Sequence, residues 1–202
     1  MGGASAAQPP DPAPPPDVAP PHFASPSIDF HTSFLAALAE YHAEGHHLEL
    51  PADRLADPEE FARYVAALRA DVETPGAAAR YVAALTGSAP EVWPDGYVPQ
   101  SIFWWVAGAE YIGRLGLRHR LTPHLLVEGG NIGYEVRPSA RGQGHATAML
   151  AAALPLAAGL GIDLVHLDCD DDNPVSQRVI EKNGGRLERR EAGCLYYVVS
   201  TR

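Results

Sequence analysis

Apolar residues recur at helical spacing through the first half of the chain, and in short alternating or β-branched runs through the second. Positions 34, 35, 38 and 41 form a stripe within 34–44, and Gly45 stands where a helix C-cap belongs. A second helix is predicted from Asp57 onward: Asp57 can cap it, Pro58 suits its first turn, and Glu59 and Glu60 complement its dipole. Phe61, Val65 and Leu68 supply its buried stripe. A third, shorter helix is predicted over 75–85, closed by Thr86 and Gly87. The texture then changes. The runs 102–107 and 111–117 are rich in β-branched and aromatic residues, and Gly108, Ala109 and Glu110 between them signal a hairpin. Further strands are predicted over 132–136, 164–168 and 195–199, with an apolar helix over about 144–160 and a polar-faced helix over about 174–182. Helices gathered early, followed by strands with crossover helices, predict an α/β (α+β) domain.

Composition changes this picture at the amino terminus. Nine of the 19 prolines fall in residues 1–26, mixed with Ala, Gly, Ser and Asp. Such a segment buries too little apolar surface to offset its ordering entropy, so 1–26 is expected to be a Pro/Ala-rich disordered leader and 27–202 the folded domain. The ~175 residues of that domain are enough for a core of ordinary size. Cys169 and Cys194 are too few for a disulfide framework or a CxxC metal site, and this usage suits a reducing cytoplasm. The apolar run 146–160 is interrupted by Pro155 and Gly159 and is too short for a membrane span, so no membrane partner is expected.

The formal net charge is −10, and its excess lies entirely in the first half: residues 1–100 hold 14 acids and 4 Arg, residues 101–202 hold 11 acids and 11 bases. A chain without a Lys/Arg-rich stretch lacks the footprint of a nucleic-acid binder. Between Tyr111 and His145, however, Arg114, Arg118, Arg120, Arg137 and Arg141 face only Glu128 and Glu135. This cationic window contains the most informative motif, in which Val136, Arg137, Pro138, Ser139, Ala140 and Arg141 lead into Gly142, Gln143, Gly144, His145 and Ala146. Glycines at a strand-to-helix turn let consecutive backbone N–H groups point at one anion, as a pyrophosphate cradle requires. The turn has neither the ending of a Walker loop nor GxGxxG spacing, which disfavours ATP and NAD, and a tight turn with no ligand is the competing reading. About thirty residues on, Asp168 ends a strand, Asn173 and Ser176 open a helix, and Asn183, Gly184 and Gly185 close it.

With these residues the sequence resembles the GNAT superfamily of N-acetyltransferases. Arg141-x-x-Gly144-x-Ala146 is similar to its phosphate loop, and Asn173-x-x-Ser176 followed by Ile180, Glu181, Lys182, Asn183, Gly184 and Gly185 is similar to its second CoA-contacting motif. The resemblance runs firmly from about 103 to 199. Arg137-Pro-Ser, Ile112-Gly-Arg-Leu and Gly130-Asn-Ile-Gly-Tyr further resemble a bacterial group of predicted acetyltransferases. The resemblance implies a GNAT-like mixed, mostly antiparallel central sheet flanked by helices, with an extended N-terminal helical region. It implies acetyl-CoA as co-substrate, with no metal. Tyr134, Glu135 and Val136 would lie on the strand that pairs with the pantetheine arm, an N–H near Val136 facing the thioester carbonyl. Arg141, Gly142, Gln143, Gly144, His145, Ala146 and Thr147 would cradle the pyrophosphate, with the His145 imidazole outside, and Asn173 and Ser176 would contact the donor.

The implied function is N-acetyl transfer from acetyl-CoA directly to a primary amine; the alternative is a non-catalytic acyl-CoA-binding regulatory module. Transfer needs a base for the amine, for which Asp168 is the first candidate and Glu135 the second; each could instead be an ordinary solvated residue. The Tyr that serves many members as general acid is replaced by Ile180, and Tyr196 or Tyr197 could substitute, although paired strand aromatics are more often core. The acidic early helices suggest a cationic acceptor, with exposed solvating faces as the plain alternative. His42, His46 and His47 read as a solvated helix end rather than a metal site. Trp93, Tyr97, Phe103, Trp104 and Trp105 read as core before pocket. An exposed last strand suggests a possible homodimer.

Overall fold

The computed structural model describes residues 19–90 and 93–202. Its elements follow the chain as β1 (His22–Ala24), α1 (His31–Ala43), α2 (Ala52–Leu55), α3 (Pro58–Ala70), α4 (Ala77–Thr86), β2 (Gln100–Ala107), β3 (Glu110–Arg118), β4 (Ile132–Val136), α5 (His145–Gly159), β5 (Leu164–Asp170), α6 (Pro174–Lys182), β6 (Arg186–Glu191) and β7 (Cys194–Ser200).

The helices begin and end as their capping residues dictate. The Asp57 carboxylate accepts the N–H groups of Glu59 and Glu60 at the start of α3. Gly45 follows α1 at φ +79°, and Gly87 closes α4 at φ +71°. The α4 start has no cap of its own, since Gly76 precedes it. The Asp71 carboxylate reaches across instead to accept the Ala78 N–H at 3.0 Å.

All strand pairings are antiparallel, and they form two sheets, ordered β1-β2-β3-β4 and β5-β7-β6. Where a single central sheet is predicted, the layer divides between β4 and β5. There the contact is local: the Asn131 N–H donates to His166 O at 2.7 Å, and Asn131 Oδ1 accepts the His166 N–H at 3.0 Å. Beyond that junction the edge of β4 is open.

Two elements depart from prediction. β6 has all six residues exposed, so it carries no buried face and no alternation to announce it. It takes the sheet edge and leaves β7 in the middle, so the last strand is not the exposed edge from which a homodimer was expected. β1 lies inside the stretch expected to be leader. Pairing with β2 and packing of Phe23 against Phe103 and Trp105, at 5.2 and 4.9 Å between centroids, order it. The rest of that expectation, for residues 1–18, lies outside the described residues.

Apolar side chains form two cores, one on each face of the strands. On one face α5 and α6 bury Met149, Leu150 and Ile180 against Leu115, Leu117, Val165 and Leu195. On the other, α1 and α3 bury Phe34, Leu38, Phe61 and Tyr64 against Trp104 and Tyr111. Adjacent strand residues face opposite ways, so Trp104 and Trp105 anchor one core each.

Candidate active site

The open edge of β4 is a row of backbone groups. The Arg137 N–H bonds to Ile112 O on β3, and alternation along the strand therefore turns the N–H groups of Val136 and Tyr134 to the opposite edge, toward the cleft beside β5. The chain leaves β4 through a short 3₁₀ turn, Pro138–Ala140, and enters α5 at Gly144. Gly142 and Gly144 sit at φ +77° and +86°, where side chains are strained, and a Cβ on either would meet nothing within 4 Å. The first turn of α5 has no side-chain cap, so the amides of Gly142, Gln143, Gly144, His145, Ala146 and Thr147 lie around an open helix N-terminus, whereas the Arg141 N–H, expected among them, is taken by Pro138 O at 3.2 Å.

The loop is held by α1. Glu40 takes the guanidinium of Arg137 and both the N–H and hydroxyl of Ser139, and Arg137 holds its carboxyl down at about 2. Arg141 pairs with Glu44 at 2.8 Å. Two of the five arginines of the cationic window are thus neutralised by acids from α1 and its C-cap, and the members of the window do not converge. Arg114 and Arg118 lie on the opposite face of β3 from α5. The His145 imidazole also points inward, accepting the Trp105 indole N–H at 3.3 Å, and burial lowers its pKa.

On the α5 and α6 side of the cleft, the Tyr134 phenol and the Ser176 hydroxyl are 2.9 Å apart. Burial pushes the phenol up to about 12. Asn173 caps α6 by accepting the Ser176 N–H at 3.0 Å. Ile180 is fully buried and packs on Gly185, so that position offers no polar group.

The face toward α1 and α4 holds the other chemistry. Glu135 lies between Arg114, whose Nε is 2.5 Å away, and His47, whose Nε2 is 2.5 Å away. Burial alone would raise the Glu135 pKa, but the Arg114 charge and the His47 hydrogen bond outweigh it and hold the carboxyl at about 2. It is neither a solvated strand residue nor a group suited to take up a proton. His47, expected at a solvated helix end, is half-buried and sits at φ +54°, gripped at both ring nitrogens by Glu135 and Glu49. Among the described residues no group of three or more His, Cys, Asp or Glu could hold a metal.

Beside this cluster an open groove of about 360 Å³ runs along β3 and β4, floored by Gly116 and Gly133 and walled by Ala78, Trp93, Tyr97 and Ile102. Of the five aromatics, Trp93 and Tyr97 line it, while Trp104 and Trp105 are core. At its far end Arg118 lies over the Trp93 ring, 5.4 Å from the centroid, and donates to Gly129 O at 2.6 Å. The N–H of the same Gly129 donates to Asp168 Oδ1 at 2.8 Å. Burial raises the Asp168 pKa; the Gly129 bond and Arg118 oppose it. Tyr196 faces Asp168 across β7, with its hydroxyl on Val127 O at 3.0 Å and Arg189 over its ring. The structure therefore gathers Glu135 with His47 and Arg114, and Asp168 with Tyr196, as two separate groups. Sequence reasoning missed His47, the Arg118 side chain and the Tyr134 phenol. Each acts across more than ten residues of separation, for which a single sequence has no signal.

The His47–Glu135 contact makes stability depend on pH. The bond to Glu135 raises the His47 pKa against opposing burial, so that contribution is complete below about 6.5 and is lost as pH rises through the raised value. The Glu135 contribution is complete above about 4.5 and is lost as pH falls toward about 2. Thermal unfolding midpoints are expected to peak between about pH 5 and 6.5, and His47→Asn, which tolerates positive φ, should flatten the alkaline limb. An unchanged alkaline limb in that variant would refute the assignment.

A sequence profile of the acetyltransferase (GNAT) domain matches residues 34–186. No curated protein matches the chain. Among solved structures, the microcin C7 self-immunity acetyltransferase MccE, in complex with acetyl-CoA and AMP, superposes with a TM-score of 0.57 at 11% identity, covering 89% of this chain and 92% of that one. RimJ of Mycobacterium smegmatis, in complex with CoA-disulfide, gives 0.57 at 18% identity over 91% and 86%. RimL, a ribosomal L7/L12 alpha-N-protein acetyltransferase, gives 0.55 at 16% identity over 91% and 93%. At these identities the likeness is one of fold.

Proposed function

The chain belongs to the acetyltransferase (GNAT) family, and from that premise we propose that it moves an acetyl group from acetyl-CoA directly to a primary amine bound in the groove over β3 and β4. Acetyl-CoA is the family's co-substrate, and the residues here fit it. The N–H groups of Tyr134 and Val136 are turned to meet an extended donor along the open edge of β4, and the amides from Gly142 to Thr147 suit a pyrophosphate. That open edge, continuous with an uncapped helix N-terminus, is the observation that carries the proposal.

Asp168 is the group suited to free the amine of its proton, because burial raises its pKa toward the working range, whereas Glu135 is held too acidic. The amine nitrogen then bonds to the thioester carbonyl carbon, and the developing oxyanion faces the Val136 N–H. The carbon–sulfur bond breaks as the carbonyl re-forms; the first proton, taken by Asp168, passes to solvent, and the second, lost by nitrogen as the intermediate collapses, ends on the CoA sulfur. Tyr196 lies on the Asp168 side with its hydroxyl bound to Val127, so we assign the leaving side to Tyr134 and Ser176 instead. A phenol at about 12 stays protonated and stabilises the departing thiolate through an O–H···S hydrogen bond. This pair stands in for the Tyr absent at Ile180 and removes the main support for a non-catalytic reading.

Five of the twelve acids that suggested a cationic acceptor are engaged elsewhere: Glu40 and Glu44 with the loop, Glu59 and Glu60 with Arg63, Asp71 with Gln100 and Ala78. Cys169 and Cys194 are free thiols on neighbouring strands, which supports a cytoplasmic setting. The test is a mass-spectrometric screen of pooled primary amines with acetyl-CoA and the full chain. Thiol release together with an acetylated amine is expected; CoA binding with no acetylated product in any pool would overturn the proposal.

A further inference from the structure

The groove's charges sum to zero but do not all pair. Of its four charged side chains, Arg114 and Glu135 neutralise each other, and Asp71 is fully buried with one oxygen on the Ala78 N–H and the other on the Gln100 amide. Arg118 is different. Its Nη1 serves two backbone carbonyls, Gly129 O at 2.6 Å and Gly130 O at 3.1 Å, its Nε is buried without a partner, and no carboxylate of the described residues pairs with it. Among the described residues no acceptor is seen for Nη2, and the guanidinium carbon lies over the Trp93 ring at the groove. A guanidinium positioned by packing and by neutral acceptors keeps its charge available for an anion.

Asp168 stands on the other side of the same glycine. Gly129 offers its carbonyl to Arg118 and its N–H to Asp168, which lies beyond the groove's lining, so a fixed cation and a fixed carboxylate flank one residue. An α-amino acid carries the mirror arrangement, an ammonium and a carboxylate on either side of one carbon. Ala78, Ala79, Ile102, Trp93 and Tyr97 meanwhile give the groove an apolar and aromatic wall, and its volume of about 360 Å³ suits a small molecule rather than a folded partner.

We infer that the acceptor is a free α-amino acid with an aromatic or large apolar side chain, its carboxylate held by Arg118, its amine turned toward Asp168 and its side chain against Trp93 and Tyr97. This rests on the reading of the groove as the acceptor site.

The experiment compares L-phenylalanine, L-phenylalaninamide and phenethylamine with the CoA-loaded full chain, by calorimetry for binding and by thiol release for turnover, in wild type, Arg118→Lys and Arg118→Gln. A charge-assisted hydrogen bond to the carboxylate should make L-phenylalanine roughly 10- to 100-fold better in kcat/KM than phenethylamine, mainly through KM. Arg118→Gln should bring that ratio near one, and Arg118→Lys should restore part of it. The wild-type comparison stands even if a variant fails to fold. Acetylation of phenethylamine as efficient as that of L-phenylalanine overturns this inference and leaves acetyl transfer intact. The amide performing as well as the acid overturns it in favour of a peptide amino terminus. Arg118-dependent binding of L-phenylalanine without turnover supports it and removes the proposed reaction instead. Absence of binding and turnover for all three, with acetyl-CoA still bound, overturns it.

Discussion

Asp168→Asn is expected to lower kcat for amine acetylation by about 10² to 10⁴, the usual contribution of a positioned general base, while CoA affinity stays within about twofold. The substitution is close to isosteric, and its amide oxygen can still accept the Gly129 N–H, so the loop that carries Gly129 stays in place. What disappears is a carboxylate whose pKa burial has raised. Wild-type turnover should accordingly rise with pH through a value raised from that of an ordinary aspartate, because only the ionised form accepts the amine proton. That limb should be missing from the residual activity of the variant. Turnover above about a tenth of wild type, with the limb retained, would assign the base elsewhere.

Gly130→Ala is expected to be severely destabilising, because a methyl group there meets both rigid backbone and left-handed strain. Gly130 sits at φ +53°, and a Cβ there would lie 2.3 Å from His166 O and 2.8 Å from its carbonyl carbon, both rigid backbone. Left-handed strain adds to the clash, so a loss of about 3 kcal/mol or more is expected, lowering Tm by roughly 6–12 °C for a domain of this size. The Asn131–His166 bonds that join β4 to β5 lie one residue away, so activity should fall beyond what the lost stability explains. Gly133→Ala is the control: a Cβ there meets nothing within 4 Å, and stability should change by less than about 0.5 kcal/mol. Equal melting temperatures for the two variants would disprove the close approach.

Much of the fold was legible because local rules wrote it. Asp57 and Pro58 start a helix for reasons contained in a few residues, and Ile132–Val136 alternates as a strand, with Ile132, Tyr134 and Val136 toward one core and Gly133 and Glu135 toward the groove. The strands that went unread have no such local signature: Arg186–Glu191 exposes every residue, and His22–Ala24 exists only because Trp104, Trp105 and Val106 lie beside it. The same limit governs the site. The glycine-rich turn after Val136 is a local device and announces itself. The partners that decide its electrostatics, Glu40 for Arg137 and His47 for Glu135, are 97 and 88 residues away in sequence, so five arginines counted in one window gave a misleading picture of where charge gathers.

One helix joins the two halves of this chemistry. α1 grips the glycine-rich loop through Glu40, just beyond its end places Glu44 on Arg141, and lays Tyr41 against the His47 ring, which in turn holds Glu135 at the groove. These contacts give any displacement of the loop a physical route to the proposed acceptor side, and thermodynamic linkage requires the exchange to be symmetric: whatever factor acetyl-CoA applies to acceptor affinity, the acceptor applies to acetyl-CoA. Loosening α1 by removing Glu40 should therefore uncouple the two ligands as well as weaken one of them, turning a cooperative pair of sites into two independent ones.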